Sequence, residues 1–209
     1  MYYNLPQNEL RTCPNNNINQ TAFSISYDGE GTLYDKHQIS ALELAEIISS
    51  MNNLVVESNK ILNKKRDKDK EALPLLTVST PIKEGSIIID FIMNLPNITD
   101  SIDVAKAIGL SAGGLFGAGS LFELIKQRGN KRPKSITIDE STNEAEIEDF
   151  NGKKYKTSIP VSKLINSPKI RDSIQNVIYN PGQKPNAIIS ILDANGDPLE
   201  EINDTEIPL

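Results

Sequence analysis

The sequence predicts an α+β fold: two small α/β lobes with mainly antiparallel strands, joined by a long glycine-rich central helix. Three observations predict it. Short runs in which apolar and polar residues alternate occur in both halves of the chain, as expected for half-buried strands. A long apolar stripe with helical spacing follows Ser40. A glycine-rich apolar stretch from Asp100 to Arg128 separates the two halves.

The N-terminal lobe is predicted over residues 21–98, after an N-terminal arm at residues 1–20 that is polar and rich in asparagine. Ser40 and Glu43 form a capping box, which predicts the start of an amphipathic helix that packs on a sheet. The strands of this lobe are predicted at Thr21–Tyr27, Leu75–Thr80 and Gly85–Leu95.

The C-terminal lobe is predicted over residues 135–209 and is rich in strands. Asn151 followed by Gly152 favours a two-residue hairpin turn, because both residues tolerate positive φ. With a loop of that length, Asp149 would face Lys154 across the ladder. The strands are predicted at Ser135–Asp139, Glu144–Phe150, Lys153–Pro160, Ala187–Leu192 and Pro198–Ile202.

Residues 99–134 are predicted to form the glycine-rich helix and a basic linker. A small residue recurs at every fourth position, at Ala105, Gly109, Gly113 and Gly117. On a helix these four residues share one face, which allows a second helix to approach closely. Each internal glycine costs about 1 kcal/mol relative to alanine, so such a helix needs close packing for stability. The four residues are therefore the predicted helix-packing interface.

Two other interpretations of this stretch remain open: a segment that inserts into a membrane, and a flexible glycine-rich loop. The uncharged run 107–122 would span about 24 Å as a helix, less than the roughly 30 Å of a bilayer core. The cations that follow it would suit an anionic membrane surface. This predicted basic patch consists of Lys126, Arg128, Lys131, Arg132 and Lys134.

Two patterns in the central stretch imitate catalytic motifs. Residues 109–113 match G-x-S-x-G, but no strand precedes them and the only histidine, His37, lies upstream of the serine. Ser120 and Leu121 occupy the positions where a phosphate-binding loop requires Lys and Ser or Thr. Neither a hydrolase nor a nucleotide-binding protein is predicted.

Composition limits the remaining classes. A net charge of −6 argues against nucleic acid as a partner, since phosphate binding needs a basic face. A single cysteine and a polar N-terminus without a signal peptide predict a cytoplasmic protein, with membrane association as the alternative. No catalytic residue, metal site or cofactor is predicted. An enzyme would have to rest on Asp35, His37 and Asp90, whose proximity the sequence does not establish.

The order of segments also carries a resemblance. The apolar strand that begins at Gly85-Ser86, a small-residue hydrophobic helix, the basic tail Lys126-Gln127-Arg128-Gly129 and a β-meander follow one another. This succession resembles a family of bacterial domains of unknown function often met among phage and mobile-element genes. The resemblance runs from about Phe23 to Ile189 and implies a phage or mobile-element context, without any catalytic residue to transfer.

These observations together predict a non-enzymatic assembly or interaction protein. The expected partner is a second copy of the chain or another protein, bound through the glycine-rich helix. The alternative function is a membrane-active protein that inserts this helix.

Overall fold

The computed structural model describes residues 18–63, 75–79, 87–96, 102–112 and 119–206. These residues form a five-stranded antiparallel sheet, a three-stranded antiparallel meander and several helices, and residues from all three contribute to one hydrophobic core. The predicted α+β class is confirmed.

The strands form two sheets. The larger sheet has the order second, third, first, seventh, eighth strand, and the smaller contains the fourth, fifth and sixth in sequence. In chain order the strands are β1 (Ile18–Gly29), β2 (Leu76–Ser79), β3 (Ile87–Pro96), β4 (Ser135–Asp139), β5 (Glu144–Glu148), β6 (Lys154–Ser158), β7 (Ala187–Asp193) and β8 (Pro198–Asn203).

The helices are mostly short. A π-helical turn at Gln175–Tyr179 lies between the last two helices of the chain, and a 3₁₀ turn at Asp204–Glu206 follows β8. The helices are α1 (Ala41–Leu62), α2 (Val104–Ile108), α3 (Leu121–Arg128), α4 (Ile159–Asn166), α5 (Pro168–Ile174) and α6 (Asn180–Gly182).

Helix α1 begins where its sequence predicts. The Ser40 hydroxyl accepts a hydrogen bond from the Glu43 amide, which satisfies one of the free N–H groups of the first turn. Ile47, Met51 and Leu54 follow at spacings of four and three residues and are fully buried. The apolar stripe of α1 therefore faces the core.

Strand β1 is the centre of the larger sheet. Phe23 pairs with Phe91 of β3, and their rings stack with centroids 5.2 Å apart. Ile25 pairs with Ile89 on one side and with Ile191 of β7 on the other. These side chains are at most 3% exposed, so one face of the sheet belongs to the core. The alternate residues of β1 lie on the outer face.

The pairing of β1 with β7 corrects the prediction of two separate lobes. Residues Phe23–Gly29 are antiparallel to residues Ala187–Asp193, so strands from the predicted regions 21–98 and 135–209 share one sheet. The physical reason is that β1 is central. Both of its edges need hydrogen-bond partners, and β3 supplies only one of them.

The predicted continuous helix from Asp100 to Arg128 is also corrected. Helix α2 ends at Gly109, whose φ of +102° is left-handed and whose amide donates to Ala105 O. Helix α3 then starts anew after Ser120, which forms a capping box with Glu123. Gly109 lies where α2 ends, and Gly119 lies just before the N-cap of α3, so these two described glycines lie outside the helices.

The predicted hairpin at Asn151-Gly152 is present between β5 and β6, but its register differs. Glu148, rather than Asp149, pairs with Lys154. The connecting loop therefore has more than two residues, and Asp149 turns to the buried side chain of Arg128.

Candidate functional site

The predicted helix-packing stripe is interrupted by the end of α2. Ala105 is 1% exposed and belongs to the core of its own chain. A Cβ atom added to Gly109 would lie only 2.6 Å from Ser120 Oγ, so this glycine permits close approach within the chain. Gly113 and Gly117 lie outside the described residues. The described half of the stripe thus serves intramolecular packing.

The predicted basic patch is largely paired with carboxylates. Lys126 Nζ lies 3.1 Å from a carboxylate oxygen of Glu200 and 3.5 Å from one of Glu206. Lys134 Nζ lies 2.5 Å from Glu148 Oε1. These contacts neutralise two of the five cations locally, which reduces the attraction of this surface for anions. Lys131 and Arg132, the cations of the patch that lie between them in sequence apart from Arg128, are exposed.

Arg128 is not a surface cation, which corrects its place in that patch. Its side chain is 0% exposed and forms an ion pair with Asp149. Arg128 Nη1 donates to Gly129 O at 3.2 Å, while Nε has no hydrogen-bond partner in the described part of the chain. A buried, paired arginine joins the end of α3 to the β5–β6 loop and holds them in one arrangement.

Of the three residues on which an enzyme would rest, two share one loop and the third lies on a strand of the larger sheet. Asp35 and His37 belong to the exposed loop between β1 and α1, where Asp35 Oδ2 accepts from the Gly31 amide at 3.4 Å. Asp90 lies on the outer face of β3, where its Oδ1 accepts from Ser24 Oγ at 2.6 Å. These contacts are typical of turn and cross-strand stabilisation.

A polar cluster that the sequence did not reveal joins the β1–α1 loop to the turn before β7. Tyr34 Oη donates to Glu43 Oε1. Lys184 Nζ donates to that same carboxylate oxygen at 2.5 Å and to Tyr34 Oη at 2.6 Å, and lies 3.9 Å from the centre of the Tyr34 ring. The ring of Tyr27 packs beside that of Tyr34, with centroids 5.9 Å apart.

The tyrosines of this cluster hold their protons firmly. Burial, aided by the hydrogen bond and the charge of Glu43, raises the pKa of Tyr34 well above its ordinary value. Burial also raises the pKa of Tyr27, whose Oη donates to Val177 O in the π-helical turn at 3.0 Å. A phenol with a raised pKa is a hydrogen-bond donor rather than a base or nucleophile at neutral pH. The cluster is therefore suited to holding elements together.

The sequence signals only one member of this cluster. The capping pattern predicts a role for Glu43 at the start of α1, but its carboxylate binds Tyr34 and Lys184. Lys184 lies 150 residues after Tyr34, so no local pattern could connect them.

A small cleft lies at the start of α3. Its volume is about 20 Å³, and its lining includes Ser120, Glu123, Gln127 and Thr157. Ligand sites for small organic molecules usually exceed about 300 Å³, so this cleft is an order of magnitude too small for such a substrate.

Strand β4 forms the outer edge of the meander. It pairs with β5, and no second strand pairs with it among the described residues. Ile136 is half-buried, and Ile138 on the same face is 48% exposed. Lys134 precedes the strand and Glu140 follows it, and both are exposed. Among the described residues, β4 is thus an unpaired edge with two isoleucines on one face and opposite charges just beyond its two ends.

Two further features concern membrane insertion and metal binding. In the described ranges, no helix combines the length and the apolar character that crossing a membrane requires. No group of three or more His, Cys, Asp or Glu side chains within the same ranges is arranged to hold a metal ion.

Comparison of the chain with models of protein families, with curated proteins and with solved structures finds no match. The functional proposals therefore rest on the residues and geometry of this chain alone.

Proposed function

We propose that the protein is a non-enzymatic assembly protein that forms homo-oligomers through β4. The observation that carries the proposal is Ile138, which is 48% exposed on a strand edge that lacks a second partner in the described part of the chain. The backbone N–H and C=O groups of such an edge are a template for another strand. β-augmentation of this kind is a common basis of protein association.

Residue composition supports β4 as the contact element. Ile136, Thr137 and Ile138 are β-branched and uncharged, which favours an extended strand and a close cross-strand contact. Natural edge strands that avoid association usually carry an inward charge, a proline or a bulge. The centre of β4 has none of these features.

The edges of the larger sheet are less suited to this role. At β8, Lys126 Nζ donates to Glu201 O at 2.7 Å and also binds Glu200, so a side chain already contacts this edge. At the opposite edge, β2 comprises four residues in the described part of the chain, one fewer than β4. A shorter ladder offers fewer hydrogen bonds to a partner.

The proposal retains the predicted assembly function and moves its contact surface. Ala105 and Gly109 serve packing inside the chain, which removes the reason to expect an intermolecular helix contact there. An origin among phage or mobile-element genes stays a prediction. Membrane activity also stays a prediction, to be tested by flotation with liposomes that contain or lack anionic lipid.

Sedimentation velocity of the full chain from about 1 to 500 µM tests the proposal, since weak interfaces associate in this range. We expect the average mass to rise with concentration above that of one 23.0 kDa chain. Ile138→Lys should abolish the rise, because a charge would be placed at the contact. Ile188→Lys is the matched control, since Ile188 is 39% exposed on the outer face of β7. A single-chain mass at every concentration would refute the proposal.

A further inference from the structure

We infer that two copies of the chain pair β4 with β4 in antiparallel orientation, about a two-fold axis that passes through Thr137. This inference rests on the proposed self-association and specifies its geometry. Antiparallel pairing of identical strands is the closed, isologous arrangement, in which residues equidistant from the axis face each other. Ile136 then faces Ile138 of the second copy, and Ile138 faces its Ile136.

This register continues an existing apolar face. Within one chain, Ile136 pairs with Ile147 of β5 and Ile138 pairs with Ala145. Ile147 is 0% exposed and Ala145 is 2% exposed, so both belong to the inner face of the meander. Pairing about Thr137 would place two more isoleucines beside this face. The contact would cover Ile138 in both copies and join two meanders into a six-stranded sheet.

Charges at the ends of β4 favour the same orientation. Lys134 lies three residues before Thr137 and Glu140 lies three residues after it, so each would face the other in the second copy. Lys134 Nζ is bound to Glu148, yet its side chain remains 50% exposed and can accept another carboxylate neighbour. Exposed Arg132 extends the basic end, and exposed Glu144 extends the acidic end.

The alternative arrangements are less favourable. In a parallel pair with the same register, each Lys134 would face Lys134 of the other copy, which places like charges opposite each other. Moving the antiparallel axis by one residue keeps opposed side chains on the same face of the sheet. An axis at Ile136 would set Ile138 against Lys134, and an axis at Ile138 would set Ile136 against Glu140. Pairing about Thr137 places both isoleucines opposite isoleucines and Lys134 opposite Glu140.

Disulfide trapping tests the position of the axis. A residue on the two-fold axis faces the same residue of the second copy. The Cα–Cα distance between the two is about 4.5–5.5 Å, which a disulfide can bridge. In a chain whose single native cysteine is removed by Cys13→Ser, Thr137→Cys should form a covalent dimer on mild oxidation. Lys154→Cys is the control, because Lys154 is 57% exposed on β6, at the edge of the meander opposite to β4, and this variant should form no covalent dimer under the same conditions.

Charge reversal provides a second test in which no cysteine is needed. Lys134→Glu and Glu140→Lys should each raise the dimer dissociation constant at least about tenfold, because each places like charges opposite each other. The double variant should restore association, since it reverses both ends of the contact. Lys154→Glu, which alters an exposed cation elsewhere in the meander, should leave the constant unchanged. Circular dichroism of each variant verifies that it folds.

The outcomes separate this inference from the function on which it rests. Concentration-dependent association without Thr137→Cys crosslinking, and without rescue in the charge-reversed double variant, would overturn the pairing about Thr137 and leave an assembly function. A single-chain mass at all concentrations would overturn both. Crosslinking at Thr137 together with rescue supports the inferred register.

Discussion

Lys184 contacts Tyr34 across 150 residues of sequence, with Nζ 2.6 Å from the phenol oxygen and 3.9 Å from the ring centre. The same amine binds Glu43, whose carboxylate also accepts a hydrogen bond from the Tyr34 hydroxyl. These three polar groups thus contact one another. Each is partly removed from water and finds its hydrogen-bond or ion-pair partners in the other two. The turn before β7 is tied in this way to the first turn of α1.

Replacing Lys184 with methionine should lower the free energy of unfolding by about 1–3 kcal/mol, because Glu43 and Tyr34 lose a partner while remaining partly buried. Lys60→Met is the control. Its ion pair with Glu57 lies on the surface of α1, where Lys60 is 63% exposed, and should contribute less than about 1 kcal/mol. Urea denaturation measures both values, and equal losses would contradict a special role for Lys184.

Removing only one member of the buried Arg128–Asp149 ion pair should strongly lower the free energy of unfolding. Arg128→Met should destabilise the protein by about 3–5 kcal/mol, because it leaves the Asp149 carboxylate 13% exposed without its cation. Adding Asp149→Leu should recover most of this loss, since the remaining uncompensated charge is removed. Thermal and urea unfolding test the pair. The expectation fails if the double variant is no more stable than Arg128→Met.

Replacing Gly109 with alanine should destabilise the protein more than replacing Gly196, a glycine that also has positive φ but has open surroundings. Both Gly109 and Gly196 have positive φ, which costs a non-glycine residue about 1–2 kcal/mol. A Cβ at Gly109 would also meet Ser120 Oγ at 2.6 Å, whereas nothing lies within 4 Å at Gly196. Melting temperatures should therefore fall further for Gly109→Ala than for Gly196→Ala. Equal decreases would show that the Ser120 contact relaxes freely.

Stability should decrease at alkaline pH in part through Tyr179. Burial raises the pKa of Tyr179 to about 12, despite the opposing influence of the Asn130 backbone and the Arg128 charge. In the unfolded chain the phenol titrates near pH 10, about as in model peptides. Between these values the unfolded state releases a proton that the folded state retains, so stability is full below pH 10 and declines toward pH 12.

The variant Tyr179→Phe isolates this contribution to the pH dependence. Unfolding free energies of the wild type and the variant are measured from pH 8 to 11.5, and above pH 10 the value for the wild type should fall more steeply with pH than that of the variant. One proton corresponds to a slope of at most about 1.4 kcal/mol per pH unit. Parallel pH profiles would show that Tyr179 does not cause the decline.

Local patterns predicted many of the elements well. The Ser40–Glu43 signal and the apolar spacing after it lie within one segment, and α1 begins there as expected. Strand β4 has the bounds Ser135–Asp139 that its alternation predicts. These signals succeed because hydrogen bonds and side-chain periodicity within a few residues decide whether a segment is a helix or a strand.

Local patterns were misleading in the central stretch. Four-residue spacing at Ala105 and Gly109 is compatible with a helix face, but spacing does not report the left-handed φ of +102° that ends α2. The capping box at Ser120 and Glu123 was a readable sign that a new helix starts there. The local sequence predicts an exposed Arg128, because it shows the charge of this residue and not its partner Asp149, which lies 21 residues further on.

The sequence by itself determined the α+β class, the start of α1 and the strands of the meander, because each depends on neighbouring residues. Tertiary structure alone decided that β7 completes the sheet beside β1, that Arg128 is buried and that Lys184 binds Tyr34. The physical reason is that strand partners and burial depend on the contacts that remain available once the whole chain has folded. Residues far apart in sequence supply those contacts.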